Sequence, residues 1–250
     1  MNTWDLIPIL LLLLLSLAFT SGSVMLLLVS RARRHRLHSR PPSPEYIGQP
    51  LYRVRSLCPL LRPPAWLAIK SRNLLAVQSA LGLHHAKPCF WTDGLAGEDK
   101  LFIAPPVRGW ILVMGSGLPD PSDDVDACFR FVLGLSRKLG QVQFFSASRI
   151  LHHHAWVRAE RGHVVRAYAW AGKTIWKQGL TTAAEKELRL KCFEYADPPQ
   201  TTLFGEPEGI AANVDRLPLL AARWSLDPGE IDERFLQHER GIAGEPSRRF

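Results

Sequence analysis

From Leu6 to Val29 the chain carries no charged residue, and most positions are Leu, Ile, Val, Met, Ala or Phe. Twenty-four helical residues span about 36 Å, enough to cross a hydrocarbon core of about 30 Å with some tilt. Pro8 falls in the first turn, where a missing N–H costs little. The run therefore predicts a transmembrane helix over 6–29. A cleaved signal peptide is the competing reading. Against it, Met1–Asp5 holds no Lys or Arg, and apolar Val24–Val29 continues past the small-residue stretch Thr20–Ser23.

The flanks predict a direction. The short tail before the run carries Asp5, whereas Arg31, Arg33, Arg34, Arg36 and Arg40 follow it closely. Positive charge is retained on the cytoplasmic side, so the expectation is a single-pass protein with residues 1–5 outside and the C-terminal domain in the cytoplasm. The same five arginines can attract anionic lipid head groups, although a topology signal is sufficient reason for them. Pro41-Pro42-Ser43-Pro44 then reads as a stiff spacer within a basic, Pro-rich linker over 30–50.

Charge is unevenly placed. The net +8 comes from 31 basic and 23 acidic side chains. Setting aside those five arginines and Asp5 leaves 26 and 22, so residues 41–250 carry only +4. Nucleic acid is thus not an expected partner, since such binders concentrate basic charge on the folded domain. Cys58, Cys89, Cys128 and Cys192 show no C-x-x-C spacing and read as reduced thiols.

The remainder predicts an α+β domain over 51–195 with a largely antiparallel sheet of about five to six strands. Leu67–Leu81 reads as a short helix ending before Gly82. Leu101–Ala104 and Trp110–Met114 flank a Pro/Gly turn and read as a hairpin. Asp123–Leu139 is the strongest helix: Ser122 can cap it, acids open it, Arg137 and Lys138 close it. Its stripe of Val125, Cys128, Phe129, Val132, Leu135 and Leu139 calls for a sheet to lie on. Val142–Ser146 reads as a strand, His154–Glu160 and His163–Trp170 as a hairpin about Arg161-Gly162, and Thr174–Lys177 as a further strand. Thr182-Ala183-Ala184-Glu185 is a capping box opening a helix to about Lys191. A connector over 196–212, a helical pair over 213–240 and a disordered tail over 241–250 complete the layout.

Motifs for chemistry are weak. His152-His153-His154, with His163 across the hairpin, has no Cys, Asp or Glu at a metal-ligand spacing, so it reads as a solvated loop entering a strand. Met114-Gly115-Ser116-Gly117-Leu118 lacks the third glycine or the Lys-Ser/Thr of a phosphate loop, and acids follow it. No metal, cofactor or catalytic set is expected. The hairpin is more informative. Ala155, Val157, Ala159, Val165, Ala167 and Ala169 alternate with Trp156, Arg158, Val164, Arg166, Tyr168 and Trp170, and Trp176 can join the second set. Such aromatic and arginine residues on one face suit a hot spot for a protein partner. The competing arrangement covers that face with the helices after Thr182 or the C-terminal pair, leaving the arginines at its rim. The sequence reading is therefore a membrane-anchored, non-enzymatic binding module. An enzyme of unrecognised type, or an inhibitor or immunity-type protein at the membrane, is the alternative.

Overall fold

A computed structural model describes residues 63–95, 100–151, 153–195 and 209–246, save 233, 234, 236 and 237. The expected membrane helix, the arginine cluster and the Pro-rich linker lie outside the described residues.

The domain is α+β, built on a nine-stranded sheet in the order β2-β9-β3-β4-β1-β5-β6-β7-β8. The strands are β1 (Ala65–Ile69), β2 (Leu83–Cys89), β3 (Leu101–Ile103), β4 (Ile111–Met114), β5 (Gln141–Ser148), β6 (His153–Glu160), β7 (His163–Ala171), β8 (Thr174–Gln178) and β9 (Gly241–Pro246). Every pairing is antiparallel. The helices are α1 (Leu74–Leu81), α2 (Trp91–Gly94), α3 (Val125–Leu139), α4 (Ala183–Glu187) and α5 (Ile210–Trp224).

Alternation along each strand sorts the side chains into two apolar layers. On one face Leu67, Val113, Phe144, Val157, Ala155, Ala167 and Ala169 pack with Val77 of α1 and Cys128, Phe131, Val132 and Leu135 of α3. The small side of the β6–β7 hairpin thus meets α3, as the sequence predicts, because alanines let a helix approach closely. On the other face Trp66, Leu112, Phe145, Trp156, Tyr168 and Trp170 pack with Leu190 and with Ile210, Leu217, Leu220 and Ala221 of α5. The sheet is covered on both sides.

Five expectations are corrected. Ala65–Ile69 is a strand between β4 and β5, not the start of a helix. Its run AWLAI is apolar on both faces, as suits a central strand buried on each side. The helix begins only after Asn73, whose side chain accepts from the Ala76 N–H. Asp124 rather than Ser122 caps α3, accepting from Ala127 N–H at 2.8 Å, while the Ser122 hydroxyl donates to Asp120. Helix α4 ends at Glu187, short of Lys191. Helix α5 opens at Ile210, ahead of the expected 213, with Pro218 inside it, and the segment expected as a second helix opens as a 3-10 turn, Pro228–Glu230, before helical residues at Phe235 and His238. Finally, Gly241–Pro246 is no tail: it is β9, inserted between β2 and β3.

Both sheet edges are blunted. β2 carries Pro88, an irregular register between His84 and Lys87, and a left-handed His85 (φ 50°). On β8 the Tyr195 hydroxyl accepts the Lys177 N–H at 2.6 Å and donates to the Lys177 carbonyl at 3.2 Å, occupying outward ladder positions. Bulges, proline and side-chain cover are recognised ways to stop edge pairing.

Candidate functional site

The face bearing Trp156, Arg158, Arg166, Tyr168 and Trp170 is not a surface. Trp156, Arg166 and Tyr168 have no exposed area and Trp170 is 2% exposed. The covering layer is α4, the segment Leu190–Phe193 and α5, so the docking-surface expectation is corrected in favour of the covered arrangement. Its physical reason is area: large rings on one side of a central hairpin are stabilised chiefly by removal from water. Only Arg158 stays at the rim, where it forms an ion pair with Glu160 at 2.7 Å. Trp176 points to the opposite face, because it pairs with Ala169, and its ring meets Phe129 edge-on at 5.4 Å.

What the sequence reading missed is the acid that makes this burial possible. Glu185, the N3 residue of the capping box, is wholly buried and accepts from four groups. Its Oε1 takes Trp156 Nε1–H at 2.7 Å and Arg166 Nε–H at 2.9 Å; its Oε2 takes the Thr182 N–H at 2.7 Å and hydroxyl at 2.8 Å. Arg166 completes its donor set on the carbonyls of Ala167, Gln178 and Gly179 and on Cys192 Sγ at 3.2 Å. Burial raises the Cys192 thiol to about 11 despite the neighbouring guanidinium, so the neutral thiol accepts from Arg166 and donates towards Glu185 Oε1 at 4.0 Å. Tyr168 accepts the Phe193 N–H at 3.0 Å, and burial lifts its phenol to about 12. A carboxylate and a guanidinium with satisfied partners brace the helix against the sheet. The capping-box spacing shows Glu185 in the sequence, but a buried Arg 19 positions earlier has no local signal.

The histidines are likewise built in. His152 lies outside the described residues. His153 and His154 are strand residues, 7% and 1% exposed, which corrects the solvated-loop reading. They point to opposite faces, as neighbours on a strand must. His153 Nε2 stands 3.7 Å from Asp120 Oδ2. His154 Nε2 lies 3.0 Å from Asn213 Nδ2, whose amide also donates to the Lys191 carbonyl at 2.7 Å and accepts the Lys191 N–H at 2.9 Å. The Asn213 NH2 therefore donates to His154, which fixes the proton of the neutral ring on Nδ1. Burial holds the ring neutral, lowering its pKa to about 3. Among the described residues Nδ1 has no hydrogen-bond partner. His163 is exposed at the far end of the hairpin, and among the described residues no three His, Cys, Asp or Glu side chains converge as metal ligands.

The Met114–Leu118 glycines make a turn: Gly115 (φ 138°) lets the Lys100 carbonyl approach where a Cβ would stand 2.0 Å from its oxygen. That close packing of backbone on backbone is a use of glycine that has nothing to do with phosphate.

Among the described residues, large apolar side chains are exposed at Leu75 and Leu219 of the helices, at Tyr195 and at the two ends of the β6–β7 hairpin. At one end of the sheet Val165 (44% exposed) and Leu180 (90% exposed) stand out, the latter next to Gly179, whose backbone packs against the Val165 carbonyl. The neighbouring β6–β7 turn, Arg161-Gly162 with both φ positive, docks on the end of α3. There Gly162 N–H donates to Ser136 Oγ, Arg161 N–H donates to the Gly140 carbonyl, and the Arg137 side chain packs on Gly162. Arg137 and Arg161 thus stand at the β6–β7 turn, while Arg158 lies on the other face of the sheet, paired with Glu160. At the opposite end, Ile150 (83% exposed) and Leu151 (66% exposed) form the tip of the β5–β6 turn. Comparison with family models, with curated proteins and with solved structures found no match, so the geometry alone supports the reading that follows.

Proposed function

We propose that the chain is a single-pass membrane-anchored binding module, tethered through Leu6–Val29 with its domain in the cytoplasm, that docks a protein partner at the Val165/Leu180 corner. The observation that carries the docking reading is the 90% exposure of Leu180, at a sheet end where Val165 is also exposed and where the β6–β7 turn carries Arg161. Of the five residues expected at the interface, only Arg158 keeps partial exposure. An apolar contact beside a guanidinium group suits an apolar partner surface with acidic flanks. The tether is supported by the length and apolarity of the run, and the orientation by the five arginines that follow it. Among the described residues no helix is long and apolar enough to cross a membrane. The chemistry of the buried face supports binding over catalysis, because Arg166, Glu185, Cys192 and Tyr168 hold one another and the covering layer.

The test is crosslinking of the full chain in its native membrane, comparing wild type with Leu180→Asp and Arg161→Glu. A partner captured by wild type and lost from both variants is the expected result. The same partner captured by all three refutes this corner. Reporter fusions at the C-terminus check the orientation: activity of a reporter that works only outside the cytoplasm would overturn it.

A further inference from the structure

We infer that the β5–β6 tip, Ile150–Leu151, is a second membrane contact that seats the domain on the bilayer surface; this rests on the anchor proposed above. The tip is a built feature. Leu151 N–H donates to Ser148 Oγ at 3.1 Å, closing the turn, and Arg149 forms an ion pair with Asp215 of α5, tying the turn to the covering layer. Adjacent aliphatic side chains are thereby held outward at 83% and 66% exposure.

Position names the occupant. The Ala147 N–H donates to the Pro64 carbonyl at 2.8 Å, and Ala65 pairs with Ser146. The chain therefore enters the sheet at Pro63–Pro64, beside the β5–β6 tip, and the apolar run and arginine cluster precede that point in sequence. The next turn at this end, between β7 and β8, presents exposed Lys173. Asp215 faces Arg149 and Asp120 faces His153, so these two acids are engaged. Apolar residues flanked by cationic ones suit the boundary between head groups and acyl chains. A tether also holds the tip at high effective concentration over the surface, so a contact too weak to act alone suffices.

Leu180 is the internal control, for β7 runs from the Val165 corner to Ala171, which pairs with His153 beside the tip. Benzoylphenylalanine is placed singly at Leu14, Ile150 or Leu180 in the full chain. Each variant is reconstituted in phosphatidylcholine vesicles with and without phosphatidylserine, irradiated, and its adducts identified by mass. The expected result is lipid adduct at 14 and 150 and its loss at 180, with more adduct at 150 when phosphatidylserine is present. Adduct at 14 without adduct at 150 overturns the tip contact and leaves the anchor standing. Absence of adduct at 14 overturns the anchor itself. Equal lipid adduct at 150 and 180, or protein in place of lipid at 150 in native membranes, overturns the tip as a lipid contact.

Discussion

Arg166 and Glu185 form an ion pair at 2.8 Å with neither side chain exposed to solvent. Such pairs gain little net stability over an apolar pair of similar volume, yet leaving one partner alone is costly. Arg166→Met or Glu185→Leu should each lower unfolding free energy by about 3–5 kcal/mol, whereas the double variant recovers most of the loss. Urea unfolding followed by tryptophan fluorescence measures all three. Additive losses in the double variant would mean that the residues act independently.

His154 gives the domain an acid-sensitive element. Its ring titrates near pH 3 in the fold, lowered by burial, against an ordinary value of 6.5. Between those values the unfolded chain binds a proton that the folded chain does not, so stability falls as pH drops from 6.5 toward 3. His154→Phe should flatten the wild-type slope most visibly between about pH 6.5 and 5, where most carboxylates are still ionised. Unfolding midpoints at matched pH values measure this. Identical slopes would show that His154 does not carry the effect.

The position of β9 predicts an unusual dependence on the C-terminus. Truncation after Arg240 removes the strand between β2 and β3 and strips pairing partners from both. Soluble, cooperatively unfolding protein should be lost, with rapid amide exchange in Leu101–Ile103. A truncated chain that unfolds at the wild-type midpoint would contradict this role for β9.

These cases show which parts of the fold a sequence reveals. Helix α3, the β6–β7 hairpin and the capping box of Thr182 each carry a local signature: a periodic stripe, an Arg-Gly turn, a Thr-x-x-Glu spacing. β1 and β9 do not. AWLAI has no alternation because both its faces are buried, and it adjoins a genuine helix whose pattern absorbs it. GIAGEP has the glycines of a turn, but Gly241 and Gly244 are there because the Ile103 and His84 carbonyls leave no room for a Cβ. Pro218 likewise obscured the start of α5, although Ile210, Asn213, Leu217 and Leu220 recur at helical spacing and are buried. For the candidate site, alternation sorted the rings and the alanines of the hairpin onto their correct faces, but the bulge beside Arg158 moved Val164 to the alanine side and left Val165 exposed. Which face met solvent depended on Glu185 and Asn213, far along the chain, and no local pattern encodes that.

Under the membrane tether proposed above, the Tyr195 hydroxyl on β8 and the bulged, proline-bearing β2 would take on a further role. Copies tethered in one plane would meet repeatedly in similar orientations, which is the condition under which bare strands zip into lateral arrays. With both rims closed, such crowding would leave the sheets separate.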